Sequence, residues 1–261
     1  MKIHFLGTCS GTEPFAGTHQ CSLVVEVNGS NYWFDCGEGC AHTAHTKGLD
    51  VLKNRVIFIS HLHGDHICGM PHLFLVMQKL TKMYNKPLLH NNILEIFMPC
   101  LKTLEAVKTV CNSYTYKDLR RFEIIGHKTK EGLLYEDENI RVSALSNGHL
   151  KDSEAEDYKS YSFLIEAENK RVVFSGDIKS SSELDPFVAG GCDMLIHETG
   201  HHKVADVCEY AVANNVKSLV FNHHGREILN DRQGCQKIVE EYSKKSNIPI
   251  TILSDGDTHI L

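Results

Sequence analysis

The sequence lacks long apolar runs, paired cysteines and an excess of positive charge. No apolar stretch approaches the roughly 20 residues that span a bilayer, and residues 1–7 are too short and too polar for the apolar part of a signal peptide. The ten cysteines include no C-x-x-C pair, which disfavours a disulfide framework and is typical of a reducing compartment. We therefore expect a cytoplasmic protein that makes no contact with a membrane.

Proline is also scarce, with six residues in 261, and no linker or low-complexity tract interrupts the chain. Apolar residues make up 42% of the sequence, which is enough for a sizeable core, and we expect residues 1–261 to form a single domain. The net charge of -6 disfavours a surface covered with phosphate-binding lysine and arginine. The composition therefore argues against a general nucleic-acid-binding protein.

Histidine is abundant instead, and its densest cluster follows a short β-branched run. Residues 56–59 (VIFI) predict a buried strand, and residues 60–66 (SHLHGDH) contain three histidines and a carboxylate. A strand end can direct several side chains at one point, and zinc prefers neutral imidazole and carboxylate ligands. The cluster therefore predicts a metal site. Cys36 and Cys40 are weaker candidates for it, because no second cysteine pair accompanies them.

Further polar residues follow predicted strands in the second half of the chain. They are His149, Asp177, residues 197–202 (HETGHH) and the neighbours His223 and His224. Strand boundaries are predicted only to about one residue, so His224 is an alternative to His223 as a metal ligand. Strand ends of this kind would meet at one edge. We therefore expect two stacked sheets with helices outside, an α/β (α+β) fold.

Hydrophobic periodicity and turn residues predict the other elements. Asn28 and Gly29 predict a hairpin turn. The main predicted strands are residues 3–6, 21–27, 31–35, 93–99, 141–145, 160–166, 170–174, 194–196 and 218–221. The predicted helices are residues 41–47, 70–84, 101–112 and 204–214. A last pair of strands, near residues 248–253 and 259–261, is expected to close the sheet.

Taken together, these motifs resemble the metallo-β-lactamase superfamily and, within it, the ribonuclease Z branch. The resemblance covers nearly the whole chain. Its matching segments are residues 34–39 (FDCGEG), residues 59–66 (ISHLHGDH), His149, residues 175–177 (SGD), residues 197–199 (HET), and His202 with Ala205, Cys208 and Ala211 at three-residue steps. The resemblance implies a four-layer αββα sandwich and a metal-dependent hydrolase, namely a phosphodiesterase or ribonuclease Z-like nuclease.

The resemblance also implies a dinuclear centre that holds two zinc ions, with manganese as the alternative. One metal would be bound by His61, His63 and His149, the other by Asp65, His66 and His223, and both by Asp177. Two metals about 3.5–4 Å apart can turn a bridging water into hydroxide and stabilise the oxygens of a displacement at phosphorus. An aspartate at the bridging position is similar to the superfamily's hydrolases and unlike its antibiotic-destroying members, which have a cysteine there.

Asp65, Glu198 and His202 are the predicted catalytic residues. An alkoxide leaving group needs a proton, which a histidine can supply near neutral pH, and a nearby carboxylate orients the ring and favours its charged form. His201 is a rival for this role. In the alternative interpretation, His202 only packs at the start of its helix.

The chain departs from ribonuclease Z proteins that mature tRNA. Those proteins carry a PxKxRN loop after the first strand, whereas Pro14 is followed here by FAGTH, with neither lysine nor arginine. They also carry a tRNA-binding arm in the interval that corresponds to His149–Asp177, which here is only long enough for a hairpin. Lys203 and Val204 replace the Ser and Thr of the family's HST motif. We therefore expect a phosphodiester substrate, a small molecule or an RNA end, and these losses argue against tRNA maturation.

Two other functions remain open from the sequence alone. One is a hydrolase of small esters, such as lactones, thiolesters or cyclic phosphodiesters, in the same superfamily. The other is a metal-dependent nucleotide-binding protein without turnover. The full ligand set together with Glu198 and His202 favours an enzyme, because binding alone needs no proton donor beside the metals. The resemblance also leaves room for a homodimer.

Overall fold

The structure is a computed structural model that describes residues 1–113, 122–150 and 158–261. The chain divides into two compact units. The first unit is Met1–Gly7, His19–Thr129 and Asp255–Leu261, and the second unit is Thr8–Thr18 and Lys130–Ser254. That residues 1–261 form one domain stays a prediction.

The described residues form strands and helices that largely match those predicted. In chain order they are β1 (Lys2–Gly7), β2 (Ser22–Val27), β3 (Ser30–Phe34), α1 (Cys40–Thr46), β4 (Asn54–Phe58), α2 (Gly64–Ile67), α3 (Met70–Tyr84), β5 (Ile93–Met98), α4 (Leu101–Ser113), β6 (Glu123–Lys128), β7 (Gly132–Glu136), β8 (Arg141–Asn147), β9 (Ser160–Ala167), β10 (Lys170–Phe174), α5 (Asp185–Val188), β11 (Met194–Glu198), α6 (Val204–Ala213), β12 (Leu219–Asn222), α7 (Arg226–Asn230), α8 (Arg232–Ser246), β13 (Ile250–Ile252) and β14 (Thr258–Ile260). Short 3₁₀ helices lie at Val51–Lys53 and Ser181–Leu184.

The sheet of the first unit has seven strands among the described residues, in the order β14-β1-β2-β3-β4-β5-β6. Neighbours from β14 to β3 are antiparallel, and neighbours from β3 to β6 are parallel. The predicted hairpin turn between β2 and β3 is confirmed, because φ is 48° at Asn28 and 79° at Gly29, the left-handed backbone that such a turn needs. Since β3 and β4 run parallel, the residues that follow them lie side by side.

Side chains on both faces of the central strands of this sheet are buried. On one face, strand residues such as Trp33 and Ile57 pack against helix residues such as Phe74 of α3. On the other, Phe34 and Phe58 are paired in register, with ring centroids 4.9 Å apart, and Phe58 and Phe97 are 5.5 Å apart. Parallel strands buried on both faces make a rigid base for the residues at their carboxyl ends.

The sheet of the second unit also has seven strands among the described residues, in the order β13-β12-β11-β10-β9-β8-β7. Neighbours from β13 to β10 are parallel, and those from β10 to β7 are antiparallel. Its core combines strand residues such as Leu195 and Phe221 with Val207 of α6 and Val239 of α8. Because β10, β11 and β12 are parallel, the polar residues at their carboxyl ends meet at one edge of this sheet.

The expectation that the last two strands form a pair is wrong. Strand β13 lies parallel to β12 in the second unit, whereas β14 lies antiparallel to β1 in the first. The backbone N–H of Gly256 donates to the carbonyl of Phe5, and the N–H of Phe5 donates to the carbonyl of Asp257. Strand β14 therefore pairs with the edge of β1. Local periodicity cannot detect a pairing between strands so far apart in the sequence.

Helices α7 and α8 are absent from the sequence prediction. Asp231 begins α8, and its carboxylate accepts the N–H of Gly234 at 2.8 Å. The helix buries Cys235 and Val239, four residues apart, and Tyr242 packs against the same core. The N-cap residue and the spacing of these apolar residues are helix signals in the sequence. Many charged residues separate the apolar positions, however, and hide the helical periodicity.

Two expectations from composition can be compared with the described residues. None of their helices is long and apolar enough to cross a membrane. The ten cysteines are free thiols and most are buried, as expected for small apolar residues in a core.

The stacked aromatic row supplies a stability prediction. Phe58→Ala should lower the free energy of unfolding by about 3–5 kcal/mol, because the buried ring packs against Phe34 and Phe97 and its removal leaves a cavity. Tyr84→Ala, at a 55% exposed position, is the matched control and should change stability by no more than about 0.5 kcal/mol. Urea unfolding measures both, and equal losses would contradict the assigned core.

Candidate metal centre

A buried carboxylate, Asp35, organises the candidate centre in the first unit. It directly follows β3 and is 0% exposed. Its Oδ1 accepts the backbone N–H of Ser60 at 2.7 Å, and its Oδ2 accepts the Ser60 hydroxyl at 2.7 Å and Nδ1–H of His66 at 2.8 Å. Ser60 follows the parallel strand β4, and His66 lies on α2. One carboxylate therefore joins the ends of two strands to the helix that carries a predicted metal ligand.

These contacts decide which ring nitrogens point toward the other predicted ligands. Because Nδ1 of His66 donates to Asp35, its Nε2 points away and lies 3.3 Å from Oδ2 of Asp65. The Ser60 hydroxyl donates to Asp35, so its oxygen accepts Nδ1–H of His61 at 3.0 Å. Polar partners of this kind orient metal-binding histidines and select their tautomer.

The first unit brings its four predicted ligands together. Nε2 of His61 lies 3.0 Å from Nδ1 of His63, and Nε2 of His66 lies 3.3 Å from Oδ2 of Asp65. The rings of His61 and His66 are also close, with centroids 4.1 Å apart. The resemblance assigns His61 and His63 to one metal and Asp65 and His66 to the other, and this division stays a prediction.

The cysteines of this region fit a metal site less well. Burial, together with the neighbouring Cys40, raises the pKa of the Cys36 thiol well above its ordinary value, which keeps the thiol protonated. Cys21, Asp35 and His66 offer ligand atoms within 4.8 Å of one another. The oxygens of Asp35, however, already accept three hydrogen bonds from Ser60 and His66.

In the second unit, Asp177 lies between two predicted ligands. It follows β10 and is 2% exposed. Its Oδ2 lies 3.6 Å from Nε2 of His149, and its Oδ1 lies 3.4 Å from Nε2 of His223. The two oxygens of one carboxylate therefore face different histidines, an arrangement suited to a ligand shared by two metals.

Glu198 lies at the end of β11 and is 1% exposed. Its Oε1 accepts the backbone N–H of Ile178 and Nδ1–H of His201, and its Oε2 accepts the backbone N–H of His201. Burial favours the neutral acid, but the hydrogen bonds from His201 and His223 outweigh it and hold the pKa of Glu198 well below its usual range. The group is therefore a buried anion.

The two histidines considered as proton donors occupy different environments. His201 is 45% exposed; its hydrogen bond to Glu198 raises its pKa, and its Nδ1 lies 3.9 Å from Oδ2 of Asp177. His202 is 14% exposed, and its Nε2 donates to the carbonyl of Ile178 and lies 3.5 Å from Oε1 of Glu198. Both rings contact Glu198, but only that of His201 is hydrogen-bonded to it.

The structure separates His223 from its neighbour in the sequence. His223 faces Asp177, whereas Nε2 of His224 donates to the carbonyl of Leu253 at 2.8 Å. Burial lowers the pKa of His224 to about 4, so this ring is a neutral structural group. Its backbone also holds the loop after β1, because its N–H donates to Thr8 and its carbonyl accepts from Ser10.

The donors in both units are imidazole nitrogens and carboxylate oxygens, a set that fits zinc or a similar divalent metal. The roles of Asp35 and Ser60 were missed by the sequence analysis. The signal was available, because Asp35 is the last residue of a predicted strand, and the histidine cluster likewise lies at a strand end.

Comparison with known proteins places the chain in a family. Residues 1–233 match the family model described as "Anti-Pycsar protein Apyc1". The chain belongs to the Anti-Pycsar protein Apyc1 family. Ribonuclease Z of Shouchella clausii is 28% identical over 85% of this chain and 86% of that protein.

Solved structures share the fold over its full length. The short form of human tRNase Z has a TM-score of 0.73 at 21% identity and covers 100% of this chain and 99% of its own. The metallo-β-lactamase fold protein YhfI from Bacillus subtilis has a TM-score of 0.73 at 16% identity and covers 99% of this chain and 98% of its own. With the two mixed sheets and their helices, these likenesses confirm the predicted fold class.

The relatives also confirm the predicted resemblance to the ribonuclease Z branch. The predicted activity class, a metal-dependent hydrolase, agrees with them as well. Binding of divalent metal is consistent with the histidine and aspartate clusters, while the identity and number of the ions stay predictions.

Asp35→Asn should weaken the binding of a divalent metal by about 10- to 100-fold, the usual cost of removing a group that orients metal ligands. The amide retains one acceptor oxygen, so the donors of Ser60 and His66 cannot all be accepted. Asp50→Asn is the matched control, because Asp50 accepts a single N–H from Leu52. Competition with a chelator measures the affinity, and equal values for the two variants would refute the role of Asp35.

Proposed function

We propose that this protein is a dinuclear metal-dependent phosphodiesterase. The first metal is bound by His61, His63 and His149, the second by Asp65, His66 and His223, and Asp177 bridges them. We propose zinc as the metal, with manganese as the alternative. The observation that carries the proposal is the environment of Asp177, whose two oxygens face His149 and His223 separately.

The donor set suits hydrolysis at phosphorus. Two bound metals supply a water-derived nucleophile at neutral pH and stabilise the charge on the phosphoryl oxygens. Relatives named ribonuclease Z support a phosphodiester as the substrate class. The chain's own contribution is to hold the ligands in register through Asp35 and to provide a proton for the leaving group.

Glu198 with a neighbouring histidine provides that proton. Glu198 is a buried anion that stabilises a positively charged ring beside it. His202 matches the histidine of the HST motif in the ribonuclease Z branch, which supports it as the donor. The hydrogen bond from Nδ1 of His201 to Glu198, and the greater exposure of that ring, support His201. Asp65, also predicted to be catalytic, acts in this proposal as a metal ligand.

The loop after β1 supports a small phosphodiester in preference to tRNA. Its charged residue is Glu13, whose carboxylate accepts hydrogen bonds from the two terminal nitrogens of the Arg226 guanidinium at 2.7 and 2.6 Å. The loop therefore presents an ion pair where tRNA-processing relatives carry lysine and arginine, and phosphate affinity depends on such cations. The predicted absence of a tRNA-binding arm depends in part on residues 151–157, which lie outside the described residues. The cytoplasmic location and a homodimer stay predictions from the sequence.

Activity on a panel of substrates tests the proposal. The purified protein should bind two metal equivalents and hydrolyse a nitrophenyl phosphodiester. It should cleave a 3′-extended precursor tRNA weakly and without a defined site. Asp177→Ala should lose metal and activity together, because both ions share this ligand. Asp193→Ala, which removes a carboxylate paired with Lys217, should retain both.

Other results would replace the proposal. Turnover of lactones or thiolesters alone would indicate a small-ester hydrolase, and nucleotide binding without turnover would indicate a binding protein. Accurate cleavage of the precursor tRNA at enzyme-like efficiency would restore a role in tRNA maturation. Two metal equivalents in the Asp177→Ala variant would show that this residue is not the bridge.

Variants of the two histidines identify the proton donor. Replacing the donor by alanine should lower turnover of an alkyl phosphodiester by about 10²–10⁴-fold without loss of metal. The loss should shrink for a nitrophenyl phosphodiester, because nitrophenolate leaves without a proton. His201→Ala and His202→Ala serve as controls for each other. Equal losses on both substrates would assign the altered histidine to positioning instead.

A further inference from the structure

The segment that carries both candidate proton donors runs directly into helix α6. Lys203 occupies the N-cap position of this helix, and its side chain makes no capping hydrogen bond. The HST motif of the ribonuclease Z branch has serine and threonine in place of Lys203 and Val204, and both residue types are favoured helix N-caps. This chain therefore lacks a local cap immediately after His201 and His202.

Glu227 supplies the missing acceptor from another helix. Its Oε2 accepts the backbone N–H of Val204 at 3.0 Å. Glu227 lies in the first turn of α7, four residues after His223. Its backbone carbonyl accepts the N–H of Asp231 and the thiol of Cys235, which anchors this turn to α8. The contact therefore ties the start of α6 to a fixed part of the second unit.

The two segments joined by this contact also fit closely against each other. The N–H of Thr199 donates to the carbonyl of His223 at 3.3 Å. A β-carbon at Gly200 would lie 2.7 Å from Nδ1 of His223, and one at Gly225 would overlap the carbonyl of Thr199. A shift of the loop between β11 and α6 would therefore move Glu198 and its histidines relative to His223.

We propose that Glu227 is a positioning residue, which holds the proton-donating segment in place beside His223 through the N–H of Val204. This inference rests on the proposed function and adds a residue to it. Among the contacts of the described residues, Glu227 has no hydrogen bond or ion pair to a predicted metal ligand or to either histidine. It acts through the backbone, where a misplacement of about 1 Å can cost about 100-fold in rate.

Glu227→Ala tests the proposal in the metal-loaded protein of residues 1–261. Turnover of an alkyl phosphodiester should fall by about 10- to 100-fold, while turnover of a nitrophenyl phosphodiester and the metal content stay near wild type. Glu227→Gln retains an acceptor oxygen and should restore turnover to near wild type. Glu241→Ala is the matched control, because Glu241 pairs with Lys245 one turn further along its own helix. Wild-type rates in the Glu227→Ala variant, or equal losses on both substrates, would overturn the proposal.

A second variant separates positioning from simple helix capping. Lys203→Ser in the Glu227→Ala background supplies a local N-cap without the link to α7. Thermal stability should recover while turnover of the alkyl phosphodiester stays low. Full recovery of that turnover would show that only the helix cap matters and would overturn the positioning role. If the wild-type protein hydrolyses neither substrate, the proposed function itself fails, which the same assay reveals before any variant is compared.

Discussion

The hydrogen bonds accepted by Asp35 are the interaction on which the candidate centre of the first unit depends. A carboxylate that is fully buried would destabilise the fold without partners, and here three donors from Ser60 and His66 satisfy it. The same bonds select the ring nitrogen that His66 turns toward Asp65 and, through Ser60, the one that His61 turns toward His63. One buried carboxylate thus sets the orientation of predicted ligands that lie after a strand and on a helix.

In the second unit, close packing of two loops holds the candidate site residues in place. Parallel strands β10, β11 and β12 bring Asp177, Glu198 and His223 to one edge of a sheet. Gly200 and Gly225 allow the loops after β11 and β12 to approach until a side chain would no longer fit. The arrangement combines a buried carboxylate whose two oxygens face different histidines with a second buried carboxylate that is hydrogen-bonded to His201.

The chain shares its fold with tRNase Z. It differs from tRNA-processing relatives in the charged residues at the loop after β1 and at the start of α6. Its loop after β1 carries an internal ion pair between Glu13 and Arg226 rather than free cations. Its helix α6 begins without the serine and threonine of the ribonuclease Z HST motif. The carboxylate of Glu227 in α7 accepts the N–H of Val204 instead. These differences lie outside the predicted metal ligands.

The sequence alone determined the metal-ligand candidates and most strands, because dense clusters of His and Asp after short β-branched runs are local patterns. It also separated strand residues from helix residues wherever the periodicity was clear, as in α3. Only the tertiary structure decided that β13 and β14 lie in different sheets, that His223 faces Asp177 while His224 binds the carbonyl of Leu253, and that Asp35 orients His66. Each of these depends on contacts between residues far apart in the chain, and the register of a strand to within one residue decides which of two neighbouring histidines faces the site.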